Sequence, residues 1–135
     1  MNENGKTYRV LIFGKEGCPK CDVLKDRLGK TLGKGDWADF DQEYFSVKTP
    51  KGLVAFSRAQ CINPNRIPAM VVAKRDPATG TYEMLPNPRP GEEDKVCQKS
   101  RLYQYLGLQT DYTEVGKGVI SPKMITAILE QAKAI

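Results

Sequence analysis

Apolar residues in this chain come in short runs, and their spacing changes from one run to the next. Tyr8-Arg9-Val10-Leu11-Ile12-Phe13 is almost continuously apolar and rich in β-branched and aromatic residues, which predicts a strand covered on both faces. Leu24, Leu28 and Leu32 then recur at helical spacing with Lys and Asp between them, so Asp22 to Leu32 predicts a helix. Gly33-Lys34-Gly35 ends it. Residues 38–47 hold a second strand, with Phe40, Tyr44, Phe45 and Val47 as candidate buried positions. Thr49-Pro50 pairs a helix cap with a proline at the first helical position. That predicts a helix to about Cys61, with Leu53, Val54, Phe56 and Ala59 as its apolar surface, broken by Asn63-Pro64-Asn65. Ala69 to Ala73 is a third strand, Asp76 to Gly80 a turn, and Thr81 to Leu85 a returning hairpin partner.

Beyond Leu85 the pattern weakens. Pro86-Asn87-Pro88-Arg89-Pro90-Gly91 excludes regular structure. A short helix from about Asp94 to Leu106 and a loop over 108–118 follow. Ser121-Pro122 then caps a last helix with the stripe Met124, Ile125, Ile128, Leu129 and Ala132. Residues 1–6 read as a tail. The order β-α-β-α-β-β-α is that of an α/β protein. Strands one and two, joined by a helix, should run parallel with a right-handed crossover. The expected architecture is a mixed four-stranded sheet flanked by helices on both faces. At 135 residues this is a single domain, residues 1–135, with its core at about 7–85 and a C-terminal extension, 86–135, ending in a helix.

The chemistry enters at Gly14-Lys15-Glu16-Gly17-Cys18-Pro19-Lys20-Cys21, between the first strand and the first helix. Two cysteines separated by two residues at a strand-to-helix junction form a redox pattern. Pro19 suits the first helical turn, which puts Cys18 at the helix start, where free N–H groups and the positive dipole end favour a thiolate. Thiols so placed drop from about 8.5 to roughly 3.5–7.5. Lys15 and Lys20 add positive charge, and Cys21, one turn on, is within reach of Cys18.

Composition narrows this further. The polar N-terminus shows no secretory signal, so the expected compartment is the cytoplasm. No apolar run approaches the ~20 residues of a membrane span. Histidine is absent, which removes the commonest general base. The net charge of +5 comes from scattered lysines without a nucleic-acid-binding motif, so no nucleic-acid partner is expected. Cys61 and Cys97 read as buried thiols behaving as small hydrophobes. A second redox pair or a four-cysteine zinc site are the other readings, the latter weakened by the lack of a second CxxC.

The element order with a CxxC after strand one resembles the thioredoxin superfamily, and in detail its glutaredoxin branch. Lys15-x-x-Cys18-Pro19-x-Cys21, Glu43 to Gly52, and Arg66-Ile67-Pro68 before a strand carry the resemblance, over roughly residues 8–85. It implies a cis bond at Pro68 beside the dithiol, with the Ile67 backbone turned toward an incoming chain to pair as a short β-bridge. The chain also departs from the glutaredoxin pattern. Lys20 stands where an aromatic is usual. The region after the hairpin has Gly91 and Asp94 but not the paired glycines that hold the γ-glutamyl end of glutathione. Thioredoxins proper carry a tryptophan before the first cysteine and an acid in the first strand. This chain has Gly17 and no acid there.

The expected activity is that of a glutaredoxin- or thioredoxin-like dithiol–disulfide oxidoreductase serving electron transport. Cys18 is its nucleophile and Cys21 its resolving thiol. Lys15, Pro19 and Lys20 support the site, and Ile67 and Pro68 bind substrate. No cofactor or metal is required, and glutathione is a possible co-substrate. Substrates would be a protein disulfide or a glutathione mixed disulfide. The electron donor would be glutathione or a reductase, and the protein a monomer. The competing reading is a metal or iron–sulfur protein using the CxxC cysteines.

Overall fold

In the computed structural model, which describes residues 6–59, 63, 66–92, 95–114 and 116–135, the first apolar run becomes β1 (Tyr8–Gly14) in the middle of the sheet. β2 (Phe40–Ser46) lies parallel on one side, Tyr8 opposite Phe40 and Gly14 opposite Ser46. β3 (Ala69–Arg75) lies antiparallel on the other, ending with Phe13 opposite Ala69. The crossover from β1 to β2 is α1 (Pro19–Leu32), and that from β2 to β3 is α2 (Pro50–Arg58). β4 (Tyr82–Met84) returns against β3 as the predicted hairpin. This is the thioredoxin-like α/β arrangement expected from the element order.

The far edge of β3 differs from expectation. A fifth strand, β5 (Gly107–Gln109), pairs with residues 69–71 of β3, while β4 pairs with residues 73–75. One sheet edge is thus built from two short strands, with residues 86–106 as an excursion between them. Val72 sits at the seam: the Leu85 N–H donates to its carbonyl at 2.9 Å, and its own N–H donates to the Leu106 carbonyl at 3.0 Å. The sheet is therefore five-stranded rather than four-stranded.

The helix expected over 94–106 is replaced by turns and one 3-10 turn at Gln98–Ser100. Non-local bonds take its backbone. The Asn87 amide nitrogen donates to the carbonyls of Leu102 (3.0 Å) and Tyr103 (2.8 Å), and Pro86 bridges to Tyr105. Asp94 and Cys61 lie outside the described residues, as do residues 1–5 of the expected tail.

Alternation along the strands divides the core. Tyr8, Val10, Ile12, Met70 and Val72 face α1 and the last helix, α3 (Pro122–Lys133), whose stripe of Met124, Ile125, Ile128, Leu129 and Ala132 is buried as predicted. Cys97 is buried in the same cluster, its thiol 3.8 Å from the Met124 carbonyl. Phe13, Ala69 and Val71 face α2, where the Phe56 ring meets Phe13 edge-on at 5.7 Å. Leu53 and Val54, expected in the apolar surface of α2, are instead 53% and 56% exposed. Ala55 and Phe56, with Ala59 at the cap, pack against the sheet, Gly52 is buried against Ser46, and α2 stops at Arg58 rather than reaching Cys61. No described helix is long and apolar enough to cross a membrane.

The seam gives the first prediction. A Cβ on Gly107 would fall on the Met70 carbonyl and within 2.9 Å of the Leu102 side chain, and backbone cannot yield as a side chain does. Gly107→Ala should cost about 1–3 kcal/mol or more, as overpacking does. A denaturant midpoint equal to wild type would show that β5 is not tightly seated.

Candidate active site

Cys18 is the N-cap of α1, with Pro19 at the first helical position. Its sulfur takes the place that a capping oxygen normally fills: the Cys21 N–H donates to Cys18 Sγ at 3.2 Å. The helix therefore directs one of its unsatisfied amides, and the positive end of its dipole, at that sulfur. Cys18 and Cys21 form a disulfide pair, with Cα atoms 5.2 Å apart. They are not equivalent: Cys18 retains 9% exposure and Cys21 has none.

Burial of Cys21 depends on Gly14, at the end of β1. A Cβ there would come within 2.9 Å of Cys21 Sγ and 3.0 Å of the Tyr44 hydroxyl, so these two groups converge where a side chain would otherwise lie. Burial, with the negative charges of Asp22 and Glu16, raises the Tyr44 phenol above its ordinary value. Lys25 Nζ lies 4.3 Å from the Tyr44 ring centroid. Neither Gly14 nor Tyr44 was legible as a site residue. The only signal was a glycine closing an otherwise apolar strand.

The Ile67–Pro68 bond is cis, as the resemblance implies, and both residues are buried. Pro68 shares a cleft of about 210 Å³ with Lys20, Leu24 and Arg27 of α1 and with Thr110, Gly118 and Ile120. The dithiol helix and the proline turn are thus brought together, and Thr110 with Gly118, Val119 and Ile120 closes the cleft. Lys20 Nζ donates to the Gly118 carbonyl at 3.1 Å, and Arg27 donates to the Ile120 carbonyl at 2.9 Å. Lys15 is exposed on the loop before Cys18.

The segment after β5 straps the proline turn. The Thr110 N–H donates to the Arg66 carbonyl (2.9 Å), the Thr110 hydroxyl to the Pro68 carbonyl (2.6 Å), and the Tyr112 hydroxyl to the Ile67 carbonyl (2.5 Å). Arg66 Nε answers by donating to the Thr110 carbonyl at 2.9 Å. Asp111, 2% exposed at its side chain, stands 3.7 Å from the Arg66 guanidinium and accepts the Thr113 N–H at 3.0 Å. The sequence pattern predicts a loop over 108–118, whereas Gly107–Gln109 forms β5. The one local signal was Asp111 two residues before Thr113, a spacing that favours an Asx turn. Among the described residues, no group of three His, Cys, Asp or Glu side chains gathers that could hold a metal ion.

No protein-family model matches the chain, and no curated protein matches it. Among solved structures it is similar to a thioredoxin from Thermus thermophilus, with 22% identity and a TM-score of 0.37 over 57% of each chain. It therefore spans little more than half the length of that protein. It is also similar to G4, the poxviral disulfide oxidoreductase essential for cytoplasmic disulfide bond formation, with 15% identity and a TM-score of 0.42 over 93% of each chain.

Asp111 makes the strap sensitive to acid. Hydrogen bonds from Thr113, then the charge of Arg66, hold its carboxyl below the ordinary carboxylate value against the cost of burial. A folded-state value below the unfolded one contributes stability above about pH 4, lost as pH falls through the lowered value. Asp111→Asn should lower the melting temperature at pH 7, and the gap to wild type should close in acid. A gap that is constant with pH would show that the carboxylate charge is not what holds the strap.

Proposed function

We propose that this chain is a thiol–disulfide oxidoreductase of glutaredoxin- or thioredoxin-like type, with Cys18 as the attacking thiolate and Cys21 as the resolving thiol. The observation that carries the reading is the capped sulfur. Cys18 Sγ accepts a helix N–H at 3.2 Å and keeps some exposure, while Cys21 is buried directly behind it. Such a position favours the thiolate of the first cysteine over that of the second.

In the reduced protein, Cys18 thiolate attacks one sulfur of a substrate disulfide, and the other substrate sulfur leaves as a thiolate that takes a proton from solvent. Cys21 then loses its proton and attacks Cys18 Sγ. The Cys18–Cys21 bond forms, the mixed disulfide breaks, and the substrate departs as a dithiol with two electrons gained. The Cys18–Cys21 disulfide is the oxidised form that this cycle requires. An external thiol donor, glutathione or a reductase-fed dithiol, returns the electrons. Ile67 and Pro68 form the surface over which the substrate chain passes, and Lys15 faces solvent on the loop before Cys18.

Cys18→Ser should abolish reduction of insulin disulfides, and retained activity would falsify the assignment. Cys21→Ser should instead accumulate a mixed disulfide between Cys18 and substrate, visible by mass and cleared by dithiothreitol. Failure to trap it would remove the resolving role from Cys21. Comparing re-reduction by glutathione with that by a thioredoxin-reductase system identifies the donor.

A further inference from the structure

β3 is paired with β1 only as far as Ala69 opposite Phe13. Beyond that point β1 turns away into the CxxC loop, and on the side that β1 leaves no described strand lies beside Ile67. An extended substrate segment carrying a disulfide to Cys18 would complete the pairing there, by exchanging backbone bonds with Ile67. The two polar groups of Ile67 are in different states. Its N–H has no hydrogen-bond partner among the described residues, whereas its carbonyl already accepts the Tyr112 hydroxyl at 2.5 Å. The chain therefore supplies, from its own side chain, the donor that a substrate backbone would bring.

The way Tyr112 is held suits a group that yields. Its backbone is fixed, because Thr110 is bonded to Arg66 and Pro68, and the Gly118 N–H closes the loop on the Asp111 carbonyl at 2.7 Å. Its side chain is 49% exposed. One ring edge rests near Gly118, where a Cβ would come within 3.2 Å of Tyr112 Cδ1, and Lys20 Nζ stands 5.9 Å from the ring centroid. Rotation of an exposed side chain of this kind takes picoseconds to nanoseconds, far faster than disulfide exchange. The ring can leave the Ile67 carbonyl without unfolding the strap.

We infer that Tyr112 is a specificity-determining residue: its hydroxyl occupies the Ile67 carbonyl, so that a peptide disulfide must displace it, while a small disulfide without backbone amides need not. The inference rests on the thiol–disulfide reading and adds to it a cost that falls on chain-like substrates alone. It also selects among them, since only a segment that offers an N–H in extended geometry recovers the lost bond.

Tyr112→Phe removes the hydroxyl and keeps the ring. Reduction of insulin and of hydroxyethyl disulfide would be measured side by side in the wild-type and variant chains. The ratio of kcat/KM for insulin to that for hydroxyethyl disulfide should rise about two- to tenfold, the worth of one hydrogen bond, mainly through a lower KM for insulin. Tyr112→Leu, which removes the ring as well, should raise the same ratio. An unchanged ratio in an active wild type and variant overturns the role of Tyr112 and leaves the oxidoreductase reading intact. A fall in the ratio shows that Tyr112 assists peptides rather than excluding them, which also overturns it. Wild-type protein inert toward both disulfides overturns the oxidoreductase reading, and this inference with it.

Discussion

The hydrogen bond from the Cys21 N–H to Cys18 Sγ ties the fold to the chemistry. It exists because Cys18 is the N-cap of α1, and Cys18 is the N-cap because Pro19 starts the helix and β1 ends at Gly14. Each part is needed by the next. A bulkier residue at the strand end would meet Cys21 at 2.9 Å and unseat the helix start. A helix that began elsewhere would leave the sulfur without its amide. Of the two lysines near the pair, Lys20 directs its ammonium to the Gly118 carbonyl and Lys15 faces water. An exposed charge acts through high dielectric, about 1 kcal/mol at 4 Å. The fixed amide acts at contact, so the helix start is the larger influence on Cys18.

The second organising feature is the broken edge of β3. A continuous hairpin strand would have carried the chain past the proline turn and away. Here the chain leaves at Leu85, makes its excursion, and re-enters at Leu106, both ends bonded to Val72. β5 then delivers Thr110 and Tyr112 onto Arg66, Ile67 and Pro68, whose three carbonyls each accept a bond from one of the two. Gly107 permits this, because only a residue without a Cβ can lie so close to the Met70 carbonyl.

What could be read in the sequence follows from this division. β1, α1, β2, β3, β4 and α3 carry local signals: continuous apolar runs, helical spacing, and the Ser121-Pro122 and Thr49-Pro50 caps. The cysteine pair and the proline turn were legible for the same reason, since each is a short motif at an element boundary. β5 was not, because three residues have no period and pair with a strand more than thirty positions earlier. The helix expected over 94–106 gives way to non-local bonds that no local pattern shows: Asn87 donates to the Leu102 and Tyr103 carbonyls, and the Leu102 N–H donates to the Gly107 carbonyl. Leu53 and Val54 look like core and are exposed, because α2 turns Ala55 and Phe56 to the sheet and leaves Leu53 and Val54 on its outer side. Asp111 and Tyr112 gain meaning only from what the split edge places beside them.

The two features meet at Lys20. Its position between the cysteines is fixed by the start of α1, yet its ammonium closes the strap through Gly118. The helix whose first turn caps Cys18 is therefore also an anchor for the segment bonded to Ile67. Gly118 must lie close for this: a Cβ there would stand 2.8 Å from Lys20 Nζ and 3.2 Å from Tyr112. Its backbone also has a φ of +71°, which disfavours any other residue. A lysine between the cysteines, where an aromatic would give stacking surface, here gives a hydrogen-bond donor that reaches across the cleft. The amide that meets Cys18 Sγ and the ammonium that meets the Gly118 carbonyl thus come from one helical turn, which gives the intervening Lys20 a structural role of its own.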